Sequence, residues 1–205
     1  MRRAVLSFTV VAFASAGVAF AANVSTDPKS APPGAYELET HHTQVIFAIP
    51  HLGITDYYGR FEKVAGTLNF NPGAPEKSSV SVSIDTASAN VMSSEVLGQL
   101  VGPTVFDAAK FPNAAFKSTS LVRTGPSTGK MTGDLTIHGV TKPVTFDVTY
   151  NGGLKAPIGN AYDLGFHATT TIKRSDFGLD KMMWSSFVGD DVKLTIEAMF
   201  LQQKT

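Results

Sequence analysis

The side chains that could do chemistry in this sequence are few. Three of its five histidines, His41, His42 and His51, stand in the stretch "HHTQVIFAIPHLG" (41–53). Histidine can bind a metal, move a proton, or act as a neutral hydrogen-bonding wall residue. A metal needs three or four converging ligands, and no His-x-His or His-x-x-x-His spacing accompanies these three. The stretch "GPSTG" (125–129) matches the Gly-x-Ser-x-Gly pattern of hydrolase nucleophiles. That motif works on a turn from strand to helix. Here both flanks read as strands and Pro126 adjoins the serine, so a hairpin loop is expected. The chain has no cysteine, which removes thiolate catalysis, Cys-ligated metals and disulfides. No phosphate-cradling loop and no telling pair of carboxylates appears. The reading is a non-enzyme with no cofactor and no metal.

The elements that must position these residues follow from hydropathy. Apolar and polar residues alternate in segment after segment. Examples are Val80/Val82/Ile84, Met131/Leu135/Ile137, Val144/Phe146/Val148/Tyr150, Tyr162/Leu164/Phe166/Ala168/Ile172 and Val192/Leu194/Ile196/Ala198/Phe200. Period two marks half-buried strands. Turn-rich stretches such as "NPGAPEKS", "HGVTKP" and "NGGLKAPIGN" separate them. About eight strands are expected, with short helical turns in "SSEVLGQL" and "TVFDAAKF" between residues 93 and 111. From Tyr57 to Phe70 the phase changes, so a bulge near Lys63 or a bend at Gly66 is required.

Eight consecutive antiparallel strands manage their edges most economically by closing into a barrel. The inward set is then Val45, Phe47, Ile49, Phe61, Phe116, Leu135, Ile137, Phe146, Phe166, Ile172, Leu194 and Ile196. The polar faces carry Ser, Thr, Asp and Lys, which suits water better than an outer membrane. A barrel of this size is either filled by side chains or holds one small ligand, and periodicity leaves both open. His51, beside Pro50, falls at a strand end and reads as a rim residue; His138 and His167 fall on polar faces. Trp184, in "KMMWSSF" (181–187), either caps the barrel mouth or packs over it.

The first 21 residues, "MRRAVLSFTVVAFASAGVAFA", have the charged start, apolar centre and Ala-x-Ala end of a secretory signal peptide. Residues 22–35 are polar and proline-rich, and read as a flexible lead-in. Lys plus Arg equals Asp plus Glu at 17 each, which excludes the basic footprint of a nucleic-acid binder.

Several blocks, taken in order and spacing, give a resemblance to a known family. These are "HTQVIFAIPHLG" with Gly59-x-Phe61 and Gly66, "FDAAKFPNAAFKSTS" (106–120), "GDLTIHGVTKPVTFDV" (133–148), "IKRSDFGL" (172–179) and "VGDDVKLTIEA" (188–198). Over residues 36 to 203 the chain resembles the YceI-like periplasmic polyisoprenoid-binding proteins. The resemblance implies a lipocalin-like extended antiparallel β-barrel with a short helical insertion, over domain 36–205. It implies an apolar tunnel for a polyisoprenoid, quinone-like or fatty-acid-like lipid, a periplasmic location and no catalysis. His42 and His51 then join Trp184 and the inward residues as tunnel wall and rim. Homodimer formation is left open, and the chain is not expected to be membrane-embedded. One departure stands out: Val96, Leu97 and Gln99 occupy positions where the family carries an Arg-Asp pair and a histidine. The alternative reading is an envelope interaction or stress-related protein whose packed barrel works through its surface.

Overall fold

The computed structural model describes residues 23–157, 159, 161–181 and 185–203. Ten strands run in chain order as β1 (Gly34–His51), β2 (Thr55–Phe61), β3 (Val64–Phe70), β4 (Ser79–Asp85), β5 (Ala89–Val91), β6 (Asn113–Arg123), β7 (Thr128–Ile137), β8 (Val140–Lys155), β9 (Tyr162–Lys173) and β10 (Asp191–Gln202). One α-helix, α1 (Ser94–Val101), lies between β5 and β6. The strands β1, β3, β4, β6, β7, β8, β9 and β10 pair as antiparallel neighbours, and β10 closes the circle onto β1. This is the eight-stranded antiparallel barrel that the alternation implied.

The two short strands are halves of interrupted passages. β1 pairs through Gly34–Glu37 with β3 and through Val45–His51 with β2. β5 likewise continues β4 after a single helical turn at Thr86–Ser88. The two breaks face each other and satisfy each other's backbone. Lys63 donates its N–H to Ser88 Oγ at 3.0 Å, Glu62 donates to Ser88 O at 3.1 Å, and Asp85 donates to Lys63 O at 3.0 Å. The break resolves the phase change: Phe61 before it and Val64, Leu68 and Phe70 after it all reach the interior. Gly66 does not bend the chain; it stays in the ladder opposite Val82.

The β7–β8 connection is a two-residue turn, His138-Gly139, with both φ positive at 52° and 76°. That backbone matches the twist of the flanking strands, and glycine supplies the second position without strain. The "GPSTG" serine, Ser127, sits in the β6–β7 hairpin connection, strand on both sides.

The outer face is polar. Lys130 pairs with Asp147 at 2.6 Å, Lys193 with Asp56 at 3.0 Å and His167 with Glu197 at 2.6 Å. Threonine hydroxyls meet across strands at Thr132–Thr145 and Thr136–Thr141, both 2.8 Å. Apolar inside and polar outside is the reverse of a barrel whose outer band faces lipid. No helix among the described residues is long and apolar enough to cross a membrane.

Helix α1 starts at the Ser93 cap, whose Oγ accepts the Val96 N–H at 3.3 Å. The following "TVFDAAKF" is a series of hydrogen-bonded turns rather than a second helix. Together they lay Leu100 and Val105, both buried, across one barrel end. At the other end the expected lead-in is corrected. From Ser25 onward it is seated on the barrel: Ser25 and Gly153 exchange two backbone hydrogen bonds at 2.9 Å, and Ala31 is buried. Prolines and the Asp27 side-chain cap on Lys29 N–H make this segment stiff enough to dock.

Candidate functional site: two adjoining apolar chambers

The inward side chains do not fill the barrel. An upper chamber of about 220 Å³ opens between residues 28–29, the loop at 72–78 and the β6–β7 hairpin. A lower chamber of about 400 Å³ lies under α1 and the segment 187–188. Val45, Ile84, Leu135 and Leu194 line both, so the chambers share a waist.

Aromatic rings set the bore. Phe116 and Phe146 meet edge to face at 5.1 Å, and Phe47 leans on Phe61 at 5.7 Å. Two glycines make these rings possible. A Cβ at Gly59 would strike the Phe47 ring and Val91, and one at Gly133 would strike the Phe116 ring. Each ring therefore lies flat over a neighbouring strand rather than across the bore. In the upper chamber Phe70, Tyr150, Phe166 and Phe200 form a connected aromatic set with centroids 5.4–6.3 Å apart.

Polar groups are sparse and placed at the ends. The upper mouth carries Lys29 and Arg123, the latter donating to the carbonyls of Gly125 and Pro126 at 2.7 and 2.8 Å. The lower chamber carries His51, Tyr57, Glu95, Gln99 and Arg174. Arg174 is 6% exposed, and its hydrogen-bond partners among the described residues are carbonyls and a hydroxyl. Its Nε donates to Gly189 O, Nη1 to Leu179 O and Ser185 Oγ, and Nη2 to Ser185 O and Val188 O, at 2.8–3.3 Å. All five donors are thus committed to Leu179, Ser185, Val188 and Gly189.

Three buried polar atoms have no hydrogen-bond partner among the described residues: Tyr57 Oη, Tyr150 Oη and Asp163 Oδ1. Burial, with the charge of Tyr162 behind it, pushes the Tyr150 phenol well above its ordinary range, and the same two causes push Tyr36 up to about 12. Both therefore stay neutral donors. Asp163 lies on the outer face; burial first and the Glu39 charge second raise its carboxyl.

The twelve apolar positions of the inward set all line one chamber or the other. His51 lies at the lower chamber, bridged through its backbone to Val188. His42 does not join the wall, and this corrects its expected place. Residues 40–43 bulge out of the β1–β10 ladder between Glu39 and Gln44. The bulge wraps the Glu39 carboxylate, which accepts the His41 and His42 N–H groups at 2.9 and 2.7 Å and the His42 ring at 2.9 Å. The His42 side chain is left 74% exposed. Burial raises the Glu39 carboxyl, but these hydrogen bonds outweigh it and hold the group below its usual range. Trp184 lies outside the described residues. The helix face that replaces the family's charged pair is split: Val96 and Gln99 line the lower chamber, while Leu97 does not.

Several wall residues were not singled out by sequence reasoning. Leu38, Val64, Leu68 and Phe70 in the upper chamber lie beyond the bulge and the break, which hide their phase. Tyr57 shares the parity of Phe61, a signal that was available, although Tyr58 beside it is equally plausible by type. Arg174 had no signal, since an arginine in a charged "KRSD" run reads as surface. Among the described residues no group of three or more His, Cys, Asp or Glu side chains could hold a metal.

An extended, closed antiparallel barrel with two adjoining chambers lined by apolar side chains defines a cavity-bearing barrel protein. The YceI-like domain model matches residues 36–200, and the chain belongs to that family. A UPF0312 protein of Pseudomonas putida is 40% identical over 168 residues, 82% of each chain. BcnA of Burkholderia cenocepacia superposes with a TM-score of 0.70 at 27% identity, over 79% of this chain and 98% of that one. The YCEI protein of Campylobacter jejuni gives 0.67 at 30% identity, over 75% and 90%. A polyisoprenoid binding domain from Saccharophagus degradans gives 0.63 at 14% identity, over 82% and 98%, a likeness of fold alone.

Proposed function

We propose that this protein holds a long apolar molecule, a polyisoprenoid, quinone-like or other long-chain lipid, within its barrel for transport or storage. In this reading it is a binding protein without catalysis or cofactor. Residues 1–21 direct export to the periplasm, and 36–205 form the lipid-binding domain. The observation that carries the reading is the pair of adjoining, almost wholly apolar chambers, of which the lower alone falls in the roughly 300–1,000 Å³ range of small-molecule sites. The resemblance to a polyisoprenoid binding domain points to the same ligand class.

Magnitude favours a long occupant. Burial contributes about 0.8 kcal/mol per CH2, while association costs on the order of 4–15 kcal/mol. On the order of 5–20 methylenes must therefore be buried before binding is favourable, which a chain spanning both chambers supplies. The alternative, a packed barrel acting through its surface, does not account for the open interior. The test is native mass spectrometry of the protein purified from its own host, followed by organic extraction. A stoichiometric adduct with the mass of a prenyl or other long-chain lipid is expected. An adduct-free protein that also refuses added isoprenoids and fatty acids would overturn the reading.

A further inference from the structure

An exposed apolar side chain standing alone on a protein surface needs no explanation, but several gathered on one rim do. Among the described residues the large apolar side chains left exposed divide between the two ends of the barrel. Val24 and Val122 stand at the upper end, on separate segments. Leu52, Ile54, Tyr58, Met92 and Phe187 gather at the lower one. Leu52 and Ile54 form the tip of the β1–β2 hairpin, where Ile54 donates its N–H to His51 O at 3.2 Å. Leu52 donates to Phe187 O at 2.8 Å, which ties the tip to the segment over the lower chamber. Val91 pairs with Gly59, so Met92, next in the chain, falls across from Tyr58. Ile54 is 83% exposed and Met92 98%.

Backbone strain marks the same place. Leu52 and Gly53 have φ of 54° and 70°, the conformation of His138 and Gly139 in the β7–β8 hairpin. Asn, Asp and Gly are the usual occupants of the first position, and a leucine there is strained. Its side chain gains little burial in return, being 57% exposed. An apolar residue held in water at that cost calls for a partner that covers it.

Charge and continuity say what that partner is. The stretches "PHLGIT" (50–55), "NVMSS" (90–94) and "SSFVG" (185–189) contain no Asp, Glu, Lys or Arg. Asp56, two residues past Ile54, is paired with Lys193 at 3.0 Å. Glu95 is the only carboxylate lining the lower chamber, and the Arg174 donors are spent on protein oxygens, so this mouth has no free cation for an anionic surface. Phe187 both lines the chamber and reaches solvent, which makes the outer patch continuous with the apolar interior. Tyr58 stands three residues, roughly 10 Å, along β2 from its start. Segments bound at a membrane surface sink to about that depth, and tyrosine favours the head-group level.

We infer that the lower rim docks on an uncharged or zwitterionic lipid bilayer. Leu52, Ile54, Met92 and Phe187 enter the acyl boundary, and Tyr58 meets the head groups. The choice of a bilayer over a protein rests on the lipid-binding reading, because docking here sets the lower chamber against the phase that would supply or receive its lipid.

The test is flotation of the purified protein with vesicles of palmitoyl-oleoyl-phosphatidylcholine. Wild type should float with them. Ile54→Asp and Met92→Asp should each weaken vesicle binding about tenfold or more, and Val122→Asp, at the upper end, should leave it within twofold. Raising salt from about 0.1 M to about 1 M, which shortens the Debye length from roughly 10 to 3 Å, should leave it within twofold as well. Leu52→Asn should weaken vesicle binding while its thermal midpoint holds or rises, because asparagine accepts the left-handed turn. Wild type that does not float, an equal loss in Val122→Asp, or binding abolished by salt overturns the surface. So does dimerisation without flotation that Ile54→Asp abolishes, which would assign the rim to a second copy. Squalene and oleate uptake, read by native mass spectrometry, reports on the chambers separately. Uptake without flotation overturns the docking surface alone, and flotation without uptake upholds the surface and overturns the lipid-binding reading.

Discussion

The two ends of this barrel are closed by different physics. The upper chamber is bounded by aromatic packing: Tyr36, Phe70, Tyr150, Phe166 and Phe200 stack in edge and face contacts, and the segment from Ser25 to Ala31 is laid over the rim. The lower chamber is bounded by loops and a helix that set Leu100, Val105, Phe177 and Leu179 into the apolar core. They are held by one buried guanidinium and by a capped helix of eight residues. Aromatic closure is non-directional and leaves a narrow, uniform bore. Hydrogen-bonded closure leaves a wider space with polar atoms in it.

Arg174→Met should test that contrast most severely. It strands four carbonyls, each costing about 1–3 kcal/mol when buried unpaired. Partial water access should reduce the total to about 4 kcal/mol, read from urea unfolding. A loss below about 1 kcal/mol would show that Leu179 and residues 185–189 are held by other contacts. At the upper end Phe200→Ala should cost about 3 kcal/mol, the usual range for a buried ring. Gly59→Ala should cost about 2 kcal/mol, since the new methyl displaces the Phe47 ring.

Binding separates the chambers more finely. Phe146→Trp narrows the upper bore and should weaken a long-chain ligand about tenfold, while a short one seated in the lower chamber is spared. Phe47→Trp should weaken both. Equal effects of the two substitutions on both ligands would remove the division into two separately occupied chambers.

The smallest effect is electrostatic and lies on the outside. Asp163 has its carboxyl raised by burial and by Glu39. A raised carboxyl makes the ionised form costly in the folded state, so the penalty is present at neutral pH and disappears as pH falls through the raised pKa. Asp163→Asn should therefore raise the thermal midpoint by a few degrees at pH 7, and the gain should shrink toward pH 4. Glu39 has the opposite sign: its lowered carboxyl stabilises above the ordinary carboxylate range and loses that contribution as pH falls.

The sequence by itself determined the barrel and most of its lining. Alternation is a local property, since each strand residue points opposite to its neighbour whatever the partner strand, so Phe116, Leu135, Phe146 and Ile172 could be placed inside without knowing the fold. Tertiary structure decided whatever depends on two distant segments at once. The break at Glu62–Lys63 is satisfied by Ser88, on the neighbouring passage, and that pairing brings Phe61 and Val64 to the same side. His42 left the wall because the β1 bulge folds back onto the Glu39 carboxylate rather than continuing the ladder. Arg174 could be buried only because the carbonyls of Leu179, Ser185, Val188 and Gly189 converge on it. The open interior is a difference between the radius eight strands impose and the volume their side chains occupy, and no local pattern encodes a difference of that kind.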